Sequence, residues 1–251
     1  MSSAIDTVPW STVGTVDLDA LAKARMEAIN LVQWLARLSN SYVTKSPPER
    51  RTELEFRAAD AAFFTRPFAK NLALKIELPS LQMQFLDGGN PVPHIFDPEE
   101  HSPAEIEAWI LVELLHHGLD REKFSKKLPY KIPRLMSGDA EDHSPQACRE
   151  GLTQLMAWFK NAAAILGAAS RGMGAAKMRI VCLPQTLGLA CISETETGHR
   201  DFGFSPGDPQ NPEPFFYISS GSAAKNRSVL TASKLLADSD PAATVLTFLK
   251  P

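Results

Sequence analysis

The sequence has few cysteines, little net charge and no long apolar run, and each shortage excludes a class of protein. Its three cysteines have no C-x-x-C spacing, which indicates reduced thiols in a cytoplasmic protein. A net charge of -3 provides no basic surface for nucleic acid, and no apolar stretch is long enough to span a bilayer. The opening residues, MSSAIDTVPW, show no signal-peptide pattern. We therefore expect a cytoplasmic protein that binds neither nucleic acid nor membrane.

Patterns of nucleotide-binding and hydrolytic enzymes are also missing. The chain has no Walker motif, no other glycine-rich phosphate loop and no dinucleotide fingerprint. The segment from Gly203 to Gly207 matches the G-x-S-x-G pattern of serine hydrolases, in which the backbone N–H after the serine helps to form the oxyanion hole. Pro206 follows the serine here and has no N–H. We therefore predict that Ser205 is not a covalently reactive nucleophile.

The histidines form none of the strong zinc-binding patterns. His116 and His117 are adjacent, so on a helix their side chains project about 100° apart and cannot both face one ion. A second group mixes two histidines with acids ahead of a helix, where acids are favoured by the helix dipole in any case. The sequence therefore predicts no metal site and no cofactor. The second group consists of His94, Asp97, Glu99, Glu100 and His101.

An amphipathic helix is predicted near the N-terminus. Asp17 can cap it, and apolar residues then recur every three or four positions, which gives a continuous stripe along one face. Such a stripe can pack on the core or seat a partner helix, and core packing is the favoured alternative. The stripe consists of Leu21, Ala24, Ala28, Leu31, Leu35 and Leu38.

Strand-like alternation follows from Thr52 onward. Apolar and polar residues alternate in 54–57, 72–78 and 81–85, as they do on half-buried strands. The break at Pro79 between the last two runs predicts a tight antiparallel pair, and four turn residues follow at 87–90.

Two further helices are predicted after Ser102 and Ser144. Ser102 to Glu105 forms a capping box, and the apolar residues that follow cover most of the helix circumference, so this helix is expected to be largely buried. The segment 128–142 is interrupted by prolines and is expected to be a long ordered connection. The second helix is expected to end at Gly172 and Gly174.

The C-terminal third is predicted to contain consecutive strands and a short tail. Runs at 178–183 and 187–192 have strand character, 229–237 favours a short helix, and 244–249 favours a closing strand. Consecutive strands and tight hairpins predict an α+β fold with a mainly antiparallel sheet, two central helices and an amphipathic N-terminal helix. We expect one domain over residues 1–251, with 1–48 as an N-terminal helical arm packed on it.

The stretch from 201 to 220 contains the candidate binding residues. Strand-like flanks enclose a loop that proline makes stiff and that carries Asp208 and Glu213. Asp208 is expected to accept backbone N–H bonds within the turn, whereas Glu213 is expected to reach a neighbouring cation or a ligand. With Ser205 and Tyr217 these acids form the candidate site, and the alternative is a structural turn whose acids face water.

Several segments together resemble a family of uncharacterised bacterial proteins. They are 102–116, 124–130, 203–208 and 212–217, and the resemblance covers most of 54–218. Members of that family tend to carry a proline followed by histidine, phenylalanine and aspartate on the strand before the loop. The corresponding segment here keeps Pro184 without the histidine and aspartate, so the resemblance implies no activity that can be transferred.

Two classes of function remain open from the sequence. The first is a non-catalytic domain that binds a small-molecule ligand or a partner, which includes a second copy of itself. The second is a small-molecule enzyme that uses the carboxylates of the 203–217 loop. A deep pocket with a perturbed acid or base would indicate an enzyme, and a shallow apolar patch would indicate an interaction module.

Overall fold

Two antiparallel five-stranded sheets form the framework of the protein, each with its strands in sequence order. The computed structural model describes residues 8–14, 17–172, 178–193, 200–220 and 227–250. The first sheet contains β1 (Glu55–Arg57), β2 (Ala62–Phe64), β3 (Leu72–Glu77), β4 (Met83–Asp87) and β5 (Asn90–Phe96). The second contains β6 (Met178–Leu183), β7 (Gly188–Ser193), β8 (Arg200–Ser205), β9 (Phe215–Ser220) and β10 (Arg227–Thr231).

The helices complete an α+β fold, which confirms the predicted class. They are α1 (Leu18–Tyr42), α2 (Pro103–His116), α3 (Arg149–Gly172), α4 (Ala232–Leu236) and α5 (Pro241–Leu249). None of the helices in the described ranges is both long and apolar enough to cross a bilayer. The helix predicted after Ser144 ends at Gly172, as expected. Gly174 lies outside the described residues.

The prediction of a strand over 244–249 is wrong, because this segment is part of the helix α5. Asp240 accepts a hydrogen bond from the N–H of Ala243 (3.0 Å) and Pro241 takes the first helical position, which together start a helix. Val245 and Leu249, one turn apart, are buried on its inner face. The short helix predicted over 229–237 is also shorter than expected, since its first residues belong to β10.

A backbone bridge between Leu54 and Cys182 joins the two sheets. Leu54 and Cys182 exchange N–H···O=C hydrogen bonds of 3.0 and 2.8 Å, which brings β1 beside β6. The carboxylate of Glu53, buried at this joint, contacts Arg66 and accepts hydrogen bonds of 2.6 and 3.2 Å from Arg179. An ion-pair network therefore holds the joint between the sheets.

One hydrophobic core extends across both sheets. The ring of Phe159 on α3 lies 5.0 Å from Phe63 of the first sheet and 5.5 Å from Phe204 of the second, measured between ring centroids. Edge contacts of this kind add to the burial of three large apolar side chains. Helix α3 therefore fixes the position of each sheet relative to the other.

Helix α1 packs on the core, which is the alternative favoured from its apolar stripe, and it is a central element of the fold. The predicted apolar stripe is buried, and so is every residue from 28 to 39, which includes the polar Asn30, Gln33 and Arg37. The stripe packs against α3 and the first sheet. The polar face is covered by the connection between α2 and α3, so it is hidden from solvent although it carries hydrophilic side chains.

This connection, predicted over 128–142 as long and ordered, is ordered because polar side chains of α1 bind it at intervals. Each contact satisfies a polar group that would otherwise be buried without a partner. The connection runs antiparallel to α1. The contacts, from the end of α1 to its middle, join Tyr42 to Asp120, Ser41 to Ser125, Gln33 to Tyr130, Asn30 to Met136 and Glu27 to His143.

Helix α2 begins as predicted but is not largely buried. Ser102 accepts a hydrogen bond from the N–H of Glu105 (3.3 Å), and the Glu105 carboxylate accepts one from the N–H of Ser102 (2.8 Å), so the capping box is confirmed. Val112 and Leu115, however, are 46% and 54% exposed, whereas Glu113 is 3% exposed. The face of α2 that contacts the first sheet therefore includes an acid, while two apolar side chains face solvent.

Candidate functional site

The loop between β8 and β9 is held closed by a cation from α1. Nη1 of Arg25 donates to the carbonyl oxygens of Pro206 (3.1 Å) and Pro212 (3.3 Å), which lie at the two ends of the loop. Gly207 has a φ of +109°, and a Cβ there would lie 2.2 Å from that nitrogen. Burial lowers the pKa of Arg25, although Asp208 opposes the shift. The loop therefore has one tightly specified conformation.

Asp208 stabilises this loop, in agreement with the expected turn role. Its Oδ1 accepts hydrogen bonds from the N–H groups of Gln210 (2.9 Å) and Asn211 (2.7 Å), and its Oδ2 lies 3.7 Å from Nη1 of Arg227. Both carboxylate oxygens are engaged by groups of the protein. This arrangement is that of an Asx turn, in which the side chain fixes the backbone.

Glu213 binds a helix of the same chain, which differs from the expected contact with a cation or ligand. Its Oε2 accepts a hydrogen bond from the N–H of Ser233 (2.6 Å), and its Oε1 accepts one from the hydroxyl of Ser233 (3.0 Å). Ser233 lies in the first turn of α4, where backbone N–H groups have no partner within the helix. Glu213 therefore caps α4 from outside.

Ser205 and Tyr217 are also held by groups of the protein. Ser205 is buried, and its hydroxyl accepts a hydrogen bond from the N–H of Gly207 (3.3 Å). The ring of Tyr217 lies 3.8 Å from the guanidinium carbon of Arg227, and burial raises the pKa of its hydroxyl. The structure thus brings Tyr217 and Asp208 together through Arg227 and places Glu213 elsewhere, against α4.

A different cluster lies where β5 meets α2, and we call it the α2–β5 site: His94, Glu113 and His116. Nδ1 of His94 lies 2.9 Å from Oε1 of Glu113, and Nδ1 of His116 lies 3.7 Å from the same oxygen. One nitrogen or oxygen from each side chain can be chosen so that all three lie within 4.8 Å of one another. Three atoms at this spacing could be bridged by one metal ion.

The packing of α2 on β5 explains why these residues meet. Side chains alternate along a strand, so His94 lies on the same face of β5 as Phe96. The ring of Phe96 packs 5.1 Å from Trp109, which fixes α2 above this face. Glu113 follows Trp109 by four residues, or about one helical turn, and so lies above His94. His116 follows Glu113 by three residues and lies on the same side of the helix.

The site combines a buried carboxylate with exposed imidazoles. The side chain of Glu113 is 4% exposed, whereas those of His94 and His116 are 60% and 56% exposed. Within the described part of the chain, the ion pairs of Glu113 are made with these two histidines. A buried carboxylate is costly unless a cation or hydrogen-bond donor compensates its charge. The arrangement therefore favours a positive charge between the three side chains.

The grouping of His94 with the acids that follow it does not occur in the structure. His101 contacts the backbone oxygen of Glu99 (2.8 Å), and the Glu99 carboxylate accepts hydrogen bonds from Ser144 and Gln146, which lie just before α3. His117 points away from His116, toward Asp87 (3.9 Å), which confirms that the adjacent histidines cannot share an ion. The E-x-x-H pattern of α2 faces a strand histidine that lies 19 residues before Glu113, so ligands that are close along the chain do not reveal this group.

A small cavity lies between the first sheet and the segment that precedes α3. The cavity, of about 170 Å³, is lined by Asp97, Glu99 and Arg149, far along the chain from the 205–217 loop. Its acids are engaged, because Asp97 accepts a hydrogen bond from Gln82 (3.1 Å) and Glu99 accepts one from the N–H of Gln146 (2.8 Å). The α2–β5 site thus offers the clearest chemistry in the described residues. No protein-family model, curated protein or solved structure matches the chain.

Proposed function

We propose that the protein is a non-catalytic binding domain whose ligand is a divalent transition-metal ion of the zinc class, held at the α2–β5 site. The observation that supports this proposal is the buried carboxylate of Glu113, which is within reach of two imidazoles that are themselves open to solvent. Two imidazole nitrogens and one carboxylate oxygen form a ligand set that suits zinc and its neighbours. Calcium and magnesium prefer sites built from oxygen atoms alone.

A bound dication would compensate the charge of Glu113. In the absence of a metal, Glu113 can accept a hydrogen bond from His94, but a hydrogen bond leaves the negative charge of the carboxylate in place. A divalent ion placed between the three side chains would neutralise this charge, and the imidazoles would bind the ion in their neutral form. The same ion would join β5 to α2.

The contacts of the loop support binding over catalysis. Asp208 and Glu213 accept hydrogen bonds from backbone groups of the loop and of α4, so neither acid is left to act on a substrate. A catalytic acid or base needs a proton that it can exchange with a bound reactant. The proposed function therefore places the ligand at the α2–β5 site and gives the loop a structural role.

The proposal is tested by measuring zinc binding to chelator-treated protein. Isothermal titration and elemental analysis after dialysis should both give about one ion per chain in the unmodified protein. His116→Ala should lower the affinity at least about tenfold, because it removes a direct ligand. His117→Ala is the matched control, since this neighbouring histidine points toward Asp87, and it should bind zinc as the unmodified protein does.

Two results would contradict the proposal. The first is an unmodified protein that retains no zinc after dialysis and releases no binding heat. The second is an equal loss of affinity in His116→Ala and His117→Ala, which would indicate adventitious binding by surface histidines. Glu113→Gln keeps the size of the side chain and removes its charge, so it separates loss of the ligand from loss of packing.

A further inference from the structure

We infer, on the basis of the proposed metal site, that the bound ion keeps a coordination position open to solvent and that this position binds a small monocarboxylate with an apolar substituent. The inference depends on three features of the α2–β5 site. They are the number of protein ligands, the charge they carry and the side chains beside the exposed histidines.

The number of ligands leaves the coordination incomplete. Zinc takes four ligands in most protein sites, and sites with three protein ligands keep the fourth position for water or a substrate. The described residues offer no fourth histidine, cysteine or carboxylate to the group of His94, Glu113 and His116. Glu113 lies at the buried end, and the two exposed imidazoles lie at the outer end. The open position therefore faces solvent.

The charge of the filled site favours an anion. A dication bound by one carboxylate and two neutral imidazoles keeps a net charge of +1. The ion is then the largest local charge and attracts a negative group more strongly than water. One carboxylate would bring the net charge to zero, whereas a dianion would leave an excess of negative charge beside Glu113. A monoanion is therefore the matching ligand.

The surroundings of the open position favour an apolar substituent. Val112 precedes His116 by four residues, so the two are neighbours on the outer face of α2, and Val112 is exposed. Val92 precedes His94 by two residues in β5 and is partly buried against the core. A phenyl ring attached to the carboxylate could cover these two side chains and remove apolar surface from water.

The experiment uses the full chain loaded with Co²⁺, whose visible absorption reports changes in its ligands. Benzoate and acetate are titrated separately. Benzoate should change the spectrum saturably and bind at least about fivefold more tightly than acetate, since only benzoate carries an apolar ring. Val112→Ser should bring the two affinities close together without changing the Co²⁺ affinity.

Ile95→Ser is the matched control for Val112→Ser. Ile95 is 57% exposed, but it is adjacent to His94 on β5 and so lies on the opposite face of the strand. This variant should keep the preference for benzoate. If both variants lose the preference equally, or if acetate binds as tightly as benzoate, the apolar part of the inference is overturned.

Failure of this inference is distinguishable from failure of the proposed function. A chain that binds Co²⁺ but whose spectrum responds to neither anion would overturn the open position and leave the metal site intact. A chain that binds no Co²⁺ would overturn the metal site and the anion position together. A spectral response accompanied by release of Co²⁺ would show that the anion removes the ion, which also contradicts the inference.

Discussion

The acids of the 205–217 loop and the acid of the α2–β5 site differ in the partners of their carboxylates. Asp208 and Glu213 are conspicuous in the sequence because prolines surround them, yet their oxygens accept hydrogen bonds from nearby N–H groups. Glu113 is one acid within an apolar run, yet its carboxylate contacts two side chains that can also bind a metal. The comparison teaches that a binding site depends on polar atoms with coordinating capacity left over, and that a stiff acidic loop can be entirely structural.

The largest expected effect concerns stabilisation by zinc. Free zinc at about a hundredfold excess over its Kd should raise the free energy of unfolding of the unmodified protein by about 2.7 kcal/mol. Glu113→Leu should remove most of this increase, while its stability without zinc stays equal or rises because an apolar group replaces a buried carboxylate. Urea denaturation with and without zinc measures both quantities. A Glu113→Leu protein that zinc still stabilises fully would place the ion elsewhere.

The next effect concerns the closed conformation of the loop. Gly207→Ala should lower the free energy of unfolding by about 2 kcal/mol, because the new Cβ would lie 2.4 Å from the backbone oxygen of Pro212 and the φ of +109° disfavours a side chain. Gly89→Ala is the matched control, since Gly89 also has a positive φ (+87°) but no atom within 4 Å of the added Cβ. Gly89→Ala should lower the free energy of unfolding by about 1 kcal/mol. Equal losses in the two variants would mean that the close approach of the Pro212 backbone to Gly207 does not constrain the loop.

A smaller effect separates the two loop acids. Asp208→Ala should lower the free energy of unfolding by about 1–2 kcal/mol, because two backbone N–H groups lose their acceptor. From the sequence, Glu213→Gln is expected to be nearly neutral, but its contact with Ser233 now predicts a loss of about 0.5 kcal/mol through the weaker interaction with the start of α4. Chemical denaturation of both variants decides this point. Negligible losses in both would mean that neither acid stabilises the loop.

The sequence predicts an element correctly where a few neighbouring residues determine its structure. The cap at Asp17, the capping box at Ser102 and the hairpin on either side of Pro79 each depend on a few consecutive residues, and all are found in the structure. The helix at 241–249 differs from the predicted strand, because the apolar residues of 244–249 also fit a strand, although Asp240 and Pro241 are a helix start signal.

The site could not be read from consecutive residues, because tertiary packing assembles it. Apolar residues surround α2, so periodicity did not determine which side would face the sheet, and the buried side proved to include Glu113. His94 reaches this acid only because Phe96 and Trp109 pack β5 against α2. The burial of the polar residues of α1 is not predictable from their neighbours for a similar reason. The connection that covers them comes from a distant part of the chain.

The smallest effect tests whether the hydroxyl of Tyr217, on the second sheet, is shielded from water. Burial raises the pKa of Tyr217, and Arg227 opposes the shift. The unfolded chain loses the phenolic proton above about pH 10, its ordinary value, while the folded chain keeps it. The stabilisation is therefore complete below that pH and is lost as the pH rises through the folded pKa, at a limiting slope of about 1.4 kcal/mol per pH unit. Urea denaturation at about pH 9, 10 and 11 should show a shallower alkaline decline for Tyr217→Phe than for the unmodified protein. Identical slopes would mean that the hydroxyl is solvated, and that it is as open to water as the two histidines of the α2–β5 site.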